Sequence, residues 1–553
     1  MEQIPSFNQY IEDSVIKFWN KDAFTDYKGA TLQFHDVARK IEKLHIMFEN
    51  SGVKRGDKIA LCGRNSSHWA VAFLATLTYG AIAVPVQNEF TPEQIHNIVN
   101  HSESKLLFVG DVVCTQVNPD MMPALEGIVY LPDFSIVISR SEQLTFAREH
   151  LNEIFGKRYP KYFRKEHIPY SKEQSPEELA MINYTSGTTG FSKGVMLPYR
   201  ALWGNIDYVL KCLAPNVKPG SNLVSILPMA HMYGLAVEFL FGFINGCHLY
   251  FLNRMPSPSL IAEAFAEVKP RLIVAVPLVI EKIIRRKVLA EVQTNRMKLL
   301  LNMPIINKKI KQHIRDRIME AFGGNAYEII VGGAPLNQGI EEFLNSVGVP
   351  ITIGYGTTET APLITFANYD KYKIASCGPA VEHMEVKVVS PDPANVPGEL
   401  IAKGMNVMLG YYKNEEATNA VLDKDGWFHT GDLATMAPSG HIYIKGRIKN
   451  MLLGANGQNV YPEEIEDKLN NMPLVGESII IQRDTKLIAL VHPEIEDKEA
   501  MDFDDDDVKG IMDENLKTLN NQLPPFCKIA AIEIQKEEFQ KTAKKSIKRY
   551  LYK

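Results

Sequence analysis

Short apolar runs suited to strands recur at 58–62, 81–86, 106–109, 272–276, 327–331 and 351–353, and between them apolar residues follow a helical spacing. Strands alternating with helices predict an α/β fold of helix-covered sheets, with ligands bound where loops leave the strand ends. The stretch WAVAFLATLTYGAIAVPV, from Trp69 to Val86, is nearly as long and apolar as a membrane span. Gly80 and Pro85 interrupt it, so it predicts a buried helix over about 67–79 and a strand over 81–84.

From about Glu385 the texture changes to strand pairs and turns, as in EVKVVSPDPANVPGELIAKG, which predicts a β-rich subdomain over about 385–448 inside a large N-terminal domain, 1–448. A third composition fills 449–553, with the amphipathic helix PEEIEDKLNNM, the strands SIIIQR and KLIALVH, and the helix VKGIMDENLKTLNNQL. It predicts a small α+β C-terminal domain. The four aspartates at 504–507 lack the alternating ligands and closing glutamate of a calcium loop, and predict a solvated loop. Between Lys282 and Arg317 the chain is rich in Lys and Arg, with apolar residues at helical spacing. Two exposed helices with solvated faces are the simpler expectation; peripheral docking on an anionic membrane surface, or on the phosphates of coenzyme A, is the functional one.

Composition narrows the class. At 553 residues the chain is too long for one core, and 45% hydrophobic with 23% charged residues is the balance of an ordinary globular protein. A net charge of −5 gives no sign of a nucleic-acid partner. The six cysteines show no metal-ligand spacing and are expected as reduced thiols. The start, MEQIPSFNQYIEDSVIKFW, lacks the apolar core of a signal peptide, so a cytoplasmic location is expected. Oligomeric state is open at this level.

Candidate chemistry enters with NYTSGTTGFSKG, from Asn183 to Gly194, directly behind the apolar run 179–182. Gly187, Gly190 and Gly194 allow positive φ and inward-turned N–H groups, and Thr185, Ser186, Thr188, Thr189 and Ser192 add donors around the same concavity. Such a lining suits phosphate oxygens, with Lys193 as a mobile cation. The P-loop spacing is not met, because Lys193 precedes Gly194 and strand-like residues follow. A Gly/Ser/Thr surface linker has the same composition, but the position between two apolar runs argues against it.

Five motifs in order, YTSGTTGFSKGV at 184, GYGTTET at 354, GELIAKGMNVMLGYY at 398, GWFHTGDL at 426 and KGRIKNML at 445, together resemble the adenylate-forming superfamily of acyl-CoA synthetases, luciferases and adenylation domains. The resemblance implies joining a small-molecule carboxylic acid to the α-phosphate of ATP, release of pyrophosphate, and transfer of the acyl group to a thiol such as coenzyme A. It also implies a mobile C-terminal domain turning about Lys449, after which 454–462 reaches the thiol channel. The glycine-rich loop would hold the β- and γ-phosphates. Glu359 matches the family's Mg²⁺-binding glutamate, with Thr185 as a second oxygen. Thr358 would contact the α-phosphate, and Tyr355, followed by Gly356 and Thr357, would face adenine opposite Gly333, Ala334 and Pro335. Asp432 would accept from both ribose hydroxyls, and Arg447 would contact the ribose. His231 matches a histidine at the mouth of an acyl tunnel, although on its own residues it reads equally as a core histidine. The apolar residues 235–241 read equally as tunnel lining or as a buried helix.

One departure stands out: Ser546 falls where the family carries a catalytic lysine. A loop shift that brings in the adjacent Lys545, or Lys544, is the favoured expectation. The spacing and basic helices between Val276 and Gly333 resemble long-chain fatty acid–CoA ligases more than short-chain ones. Ligases for aryl or medium-chain acids, or for a carrier-protein thiol, are the alternatives within the superfamily; an impaired acyl-AMP or nucleotide binder is the alternative outside catalysis.

Overall fold

The computed structural model describes residues 6–170, 175–185, 192–284, 304–453, 459–483, 486–494, 504–541 and 547–552, with side chains described throughout except at 304–307 and 453. Two large sheets dominate. One runs in the order Gly410–Tyr411, Lys193–Pro198, Leu179–Thr185, Ile82–Val86, Lys58–Cys62, Ser104–Val109, Gly127–Tyr130 and Ile136–Ser139. The four central pairings, from Leu179–Thr185 to Gly127–Tyr130, are parallel, and antiparallel strands flank them on both sides. The other sheet orders Ile351–Ile353, Glu328–Val331, Leu272–Ala275, Asn222–Ser225, His248–Phe251, Asp22–Asp26 and Thr31–Gln33, parallel except for the last hairpin. All six strand runs anticipated from the sequence are present within a residue or two of their expected bounds.

One apolar core joins both sheets through the helices between them. The helix Ser67–Tyr79 is apolar all round because it is enclosed all round, which is why its composition imitates a membrane span. Ser66 caps its start by accepting from the Trp69 N–H, and Gly80, at φ 84°, ends it. Among the described residues no helix is long and apolar enough to cross a membrane. Residues 235–241 form a buried helix: a π-helical turn, Gly234–Leu240, runs into the short helix Phe241–Ile244. Phe239 packs 6.0 Å from Phe73 and Phe243 stacks 5.0 Å from Phe34, so these rings are core. Each such aromatic pair adds roughly 1 kcal/mol beyond simple burial.

Four antiparallel strands, Met384–Val389, Gly398–Gly404, Phe428–Met436 and Ile442–Arg447, form the β-rich part. Beyond it, the sheet of Val475–Arg483, Lys486–Pro493 and Ile529–Ile534 packs with the helices Pro462–Asn470 and Asp505–Gln522 around a core of its own. The aspartates at 504–507 correct an expectation, since they are not a loop. Asp504 caps the helix Asp505–Gln522 by accepting from the N–H groups of Asp506 and Asp507, and the other three fill its first turn. Carboxylates there meet unpaired N–H groups and the positive end of the helix dipole, which outweighs their mutual repulsion. The basic stretch is described in part: Pro277–Ile284 and Pro304–Ala321 are helices, and Lys308 and Lys309 are exposed on the second. Arg285, Arg286, Lys287, Arg296 and Lys298 lie outside the described residues.

Candidate functional site

The site begins at a hairpin. Phe428–Met436 and Ile442–Arg447 pair so that Asp432 stands directly across from Arg447. Arg447 Nε forms an ion pair with Asp432 Oδ1 at 2.6 Å, and the Tyr355 hydroxyl donates to Oδ2 at 2.5 Å from 77 residues away. Asp432 is 3% exposed, and burial pushes its carboxyl above the usual carboxylate range; the Glu359 charge adds to that rise, while Arg447 and Tyr355 oppose it. Enclosure beside this carboxylate also drives the Tyr355 phenol well above its usual range, so it remains a donor.

Tyr355 follows the strand Ile351–Ile353, and the neighbouring parallel strand Glu328–Val331 delivers Gly333, Ala334 and Pro335 at the same end. These are the strand ends at which α/β sheets bind ligands. Gly354 N–H bonds back to Val331 at 3.0 Å, and Gly333 takes φ 86°, a conformation that favours glycine. Gly356 is held tighter still, because a Cβ there would lie 1.8 Å from the Pro362 carbonyl oxygen. Thr360 Oγ1 accepts from Thr357 N–H at 3.1 Å and donates to Pro362 at 2.6 Å, which folds Thr358–Thr360 into a single tight turn. The turn buries Thr358 and leaves Glu359 half-buried.

Glu359 Oε1 accepts from the Tyr411 hydroxyl at 2.8 Å. Lys193 Nζ sits over the same ring, 4.7 Å from its centre. Lys193 and Thr185 are cross-strand partners at the root of the glycine-rich loop, so both ends of that loop are fixed by the sheet. Ser186, Gly187, Thr188, Thr189, Gly190 and Lys545 lie outside the described residues, as do Lys544, Ser546 and 454–458. At Lys449, desolvation and the Arg447 and Lys193 charges press the ammonium below its usual range, with Asp432 opposing.

His231 occupies the loop after Asn222–Ser225 and accepts from Tyr233 N–H through Nδ1 at 3.3 Å. Three buried or half-buried polar side chains hold that loop. Asn65 accepts from Met229 N–H at 2.9 Å, Asn183 donates to the Ala230 carbonyl at 2.9 Å, and Glu238 accepts from the N–H groups of Ile226 and Leu227. Sequence reasoning assigned nothing to Tyr411 or Glu238. Tyr411 lies inside a quoted motif, and that was its only signal.

The structure thus joins Tyr355, Asp432 and Arg447 by direct contact and joins Glu359 and Lys193 through Tyr411, with the Glu359 charge acting on Asp432. Hard oxygen donors at Glu359, beside a cation at Lys193, fit a magnesium–polyphosphate group. Among the described residues, Asp207, Glu382 and His383 also converge closely enough to hold an ion. There Lys211 Nζ bridges the two carboxylates at 2.8 and 2.9 Å, which makes the group an ion-pair cluster.

A family model described as AMP-binding enzyme matches residues 11–412, and one described as AMP-binding enzyme C-terminal domain matches 449–552. The chain belongs to the AMP-binding enzyme family. This AMP-binding enzyme is 30% identical over 507 residues to a protein of Escherichia coli O6:H1, strain CFT073, named long-chain-fatty-acid–CoA ligase, covering 86% of this chain and 82% of that one. Among solved structures it is similar to the anthranilate CoA ligase AuaEII in complex with anthranoyl-AMP, at TM-score 0.79 and 18% identity over 99% of this chain and 97% of that one. ATP-bound MatB from Rhodopseudomonas palustris gives TM-score 0.76 and 22% identity, covering 99% and 98%. These likenesses establish the fold of this AMP-binding enzyme as that of the adenylate-forming enzymes.

Proposed function

We propose that this protein is an acid–thiol ligase that activates a long-chain fatty acid with ATP and passes the acyl group to coenzyme A. The observation that carries the reading is the meeting of Tyr355, Asp432 and Arg447, drawn from separate segments, with Glu359 acting on the same carboxylate. The E. coli relative's name supports the long-chain assignment.

On this reading Asp432 accepts from the ribose hydroxyls, Arg447 steadies it, and Tyr355 faces the adenine opposite Gly333, Ala334 and Pro335. Thr358 and the glycine-rich loop donate to phosphate oxygens. Glu359, with Thr185, would hold Mg²⁺, which when bound offsets phosphate charge. The acid's carboxylate oxygen attacks the α-phosphorus, and the bond to pyrophosphate breaks. Lys193 and a lysine near 545 neutralise the charge that develops. The coenzyme A thiol then attacks the acyl carbon and AMP leaves. Residues 1–448 would form the adenylating domain and 449–553 a lid that turns at Lys449 between the two steps. A cytoplasmic location, with peripheral lipid contact through the exposed lysines of Pro304–Ala321, accords with a greasy substrate.

Pyrophosphate exchange with acids of graded chain length tests the reading. Exchange that depends on long-chain acids is expected, and K545A is expected to lower it by ~100-fold, the scale of losing one preorganised transition-state contact. Wild-type exchange in K545A would remove that assignment, and exchange with aryl acids alone would reassign the substrate. Ser546 favours a second reading, a nucleotide or acyl-adenylate binder. ATP binding without any exchange would establish it.

A further inference from the structure

Lys193 and Glu359 carry opposite charges and touch one aromatic ring, yet among the described residues no ion pair joins them. Each is held instead by Tyr411. Tyr411 as a residue is 6% exposed, so its ring is a fixed wall rather than a loose side chain. Its hydroxyl holds Glu359 Oε1 at 2.8 Å, and its face holds the Lys193 ammonium at 4.7 Å.

The backbone pins the ring from several sides. Gly410 and Tyr411 pair with Met196 and Val195, on the strand that begins at Lys193. Tyr411 N–H donates to Thr418 Oγ1 at 2.8 Å, Tyr412 N–H donates to the Gly194 carbonyl at 2.8 Å, and Met408 N–H donates to the Glu359 carbonyl at 2.8 Å. Position 411 is therefore fixed to both charged residues through main chain as well as side chain.

We propose that Tyr411 is a positioning residue that orients Glu359 through its hydroxyl and Lys193 through its ring face, holding the two charges apart so that each meets its own part of a magnesium–nucleotide. The inference rests on the ligase reading. It separates into two measurable halves, because phenylalanine keeps the face and loses the hydroxyl, while leucine loses both.

The test is calorimetric binding of ATP to the full-length protein, in Mg²⁺ and in EDTA, with AMP binding and the KM for the acid alongside. Y411F is expected to weaken Mg²⁺-supported ATP binding by about 5–10-fold, the scale of one lost hydrogen bond to a charged group, and to leave binding in EDTA within about 2-fold. Y411L is expected to weaken binding in EDTA as well, by roughly 3-fold, as Lys193 loses its cation–π partner. AMP binding and the KM for the acid should stay at wild-type values in both. Equal losses with and without Mg²⁺ in Y411F would overturn the proposal, as would wild-type Mg²⁺ dependence in that variant. A cycle with E359A guards against general disturbance: Y411F should cost nothing further in the E359A background, and additive losses would refute the coupling. Wild-type protein that binds ATP equally with and without Mg²⁺ would instead sink the ligase reading of Glu359, and the proposal with it.

Discussion

Glu328 shows how far enclosure can move a single group. It opens the strand Glu328–Val331 fully buried, accepts from Tyr369 N–H at 2.7 Å through Oε1, and among the described residues has no hydrogen-bond partner at Oε2. Burial, with the Asp370 charge adding, pushes its carboxyl up to about 8 from 4.5, against the Tyr369 bond. Between those values the folded protein holds a proton that the unfolded chain releases. The stability from this group is therefore present below about pH 4.5 and is lost as pH rises through 8. E328Q, neutral throughout, should lack that loss and be more stable than wild type by on the order of a few kcal/mol at pH 9. Chemical denaturation between pH 5 and 9 measures it, and parallel curves for the two proteins would count against the shift. Sequence could not have indicated this, because Tyr369, whose N–H Glu328 accepts from, lies 41 residues away along the chain. The same holds for Tyr411, whose hydroxyl crosses 52 residues to Glu359. Asp432 and Arg447 were legible because a motif surrounds each, and Tyr355 with them; their mutual contact was not.

At the level of elements, sequence patterns did best where burial is all or none. The helix Ser67–Tyr79 and the core strands follow from unbroken apolar runs. Patterns did worst where charge met backbone. Four aspartates in a row are exposed, as expected, but read as a loop, whereas a helix start supplies N–H donors that composition does not display. D504A should therefore destabilise the helix Asp505–Gln522 by roughly 1 kcal/mol, whereas an alanine at a merely solvated loop position would cost almost nothing. Hydrogen exchange along that helix distinguishes the two: faster exchange in its first turns is expected, and unchanged protection would reject the cap. The turn Thr358–Thr360 was legible as a motif only, since its shape depends on Pro362 and on the lack of a side chain at Gly356.

Over the whole molecule, the C-terminal unit has its own core and its own weak point. Glu466, buried in Pro462–Asn470, accepts from Ile480 N–H at 2.6 Å and from both terminal nitrogens of Arg549, one of them at 2.7 Å. Arg549, half-buried in the last described turn of the chain, ties that turn to the buried Glu466 through an ion pair. R549A leaves a buried carboxylate without its counter-charge and should cost about 3–5 kcal/mol, confined to this unit. Limited proteolysis should then cleave beyond residue 449 while the larger part survives, and R549K should recover part of the loss. Uniform digestion of both parts would contradict a separate core. The hairpin that sets Asp432 against Arg447 also hands the chain to the C-terminal unit, with Ile448 alone between Arg447 and Lys449. On the proposed reading, a turn at Lys449 would pull on the arginine two places back that pairs with Asp432. In a ligase of that kind, letting go of spent nucleotide and resetting for another round would be a single mechanical act, and a variant that speeds one would speed the other.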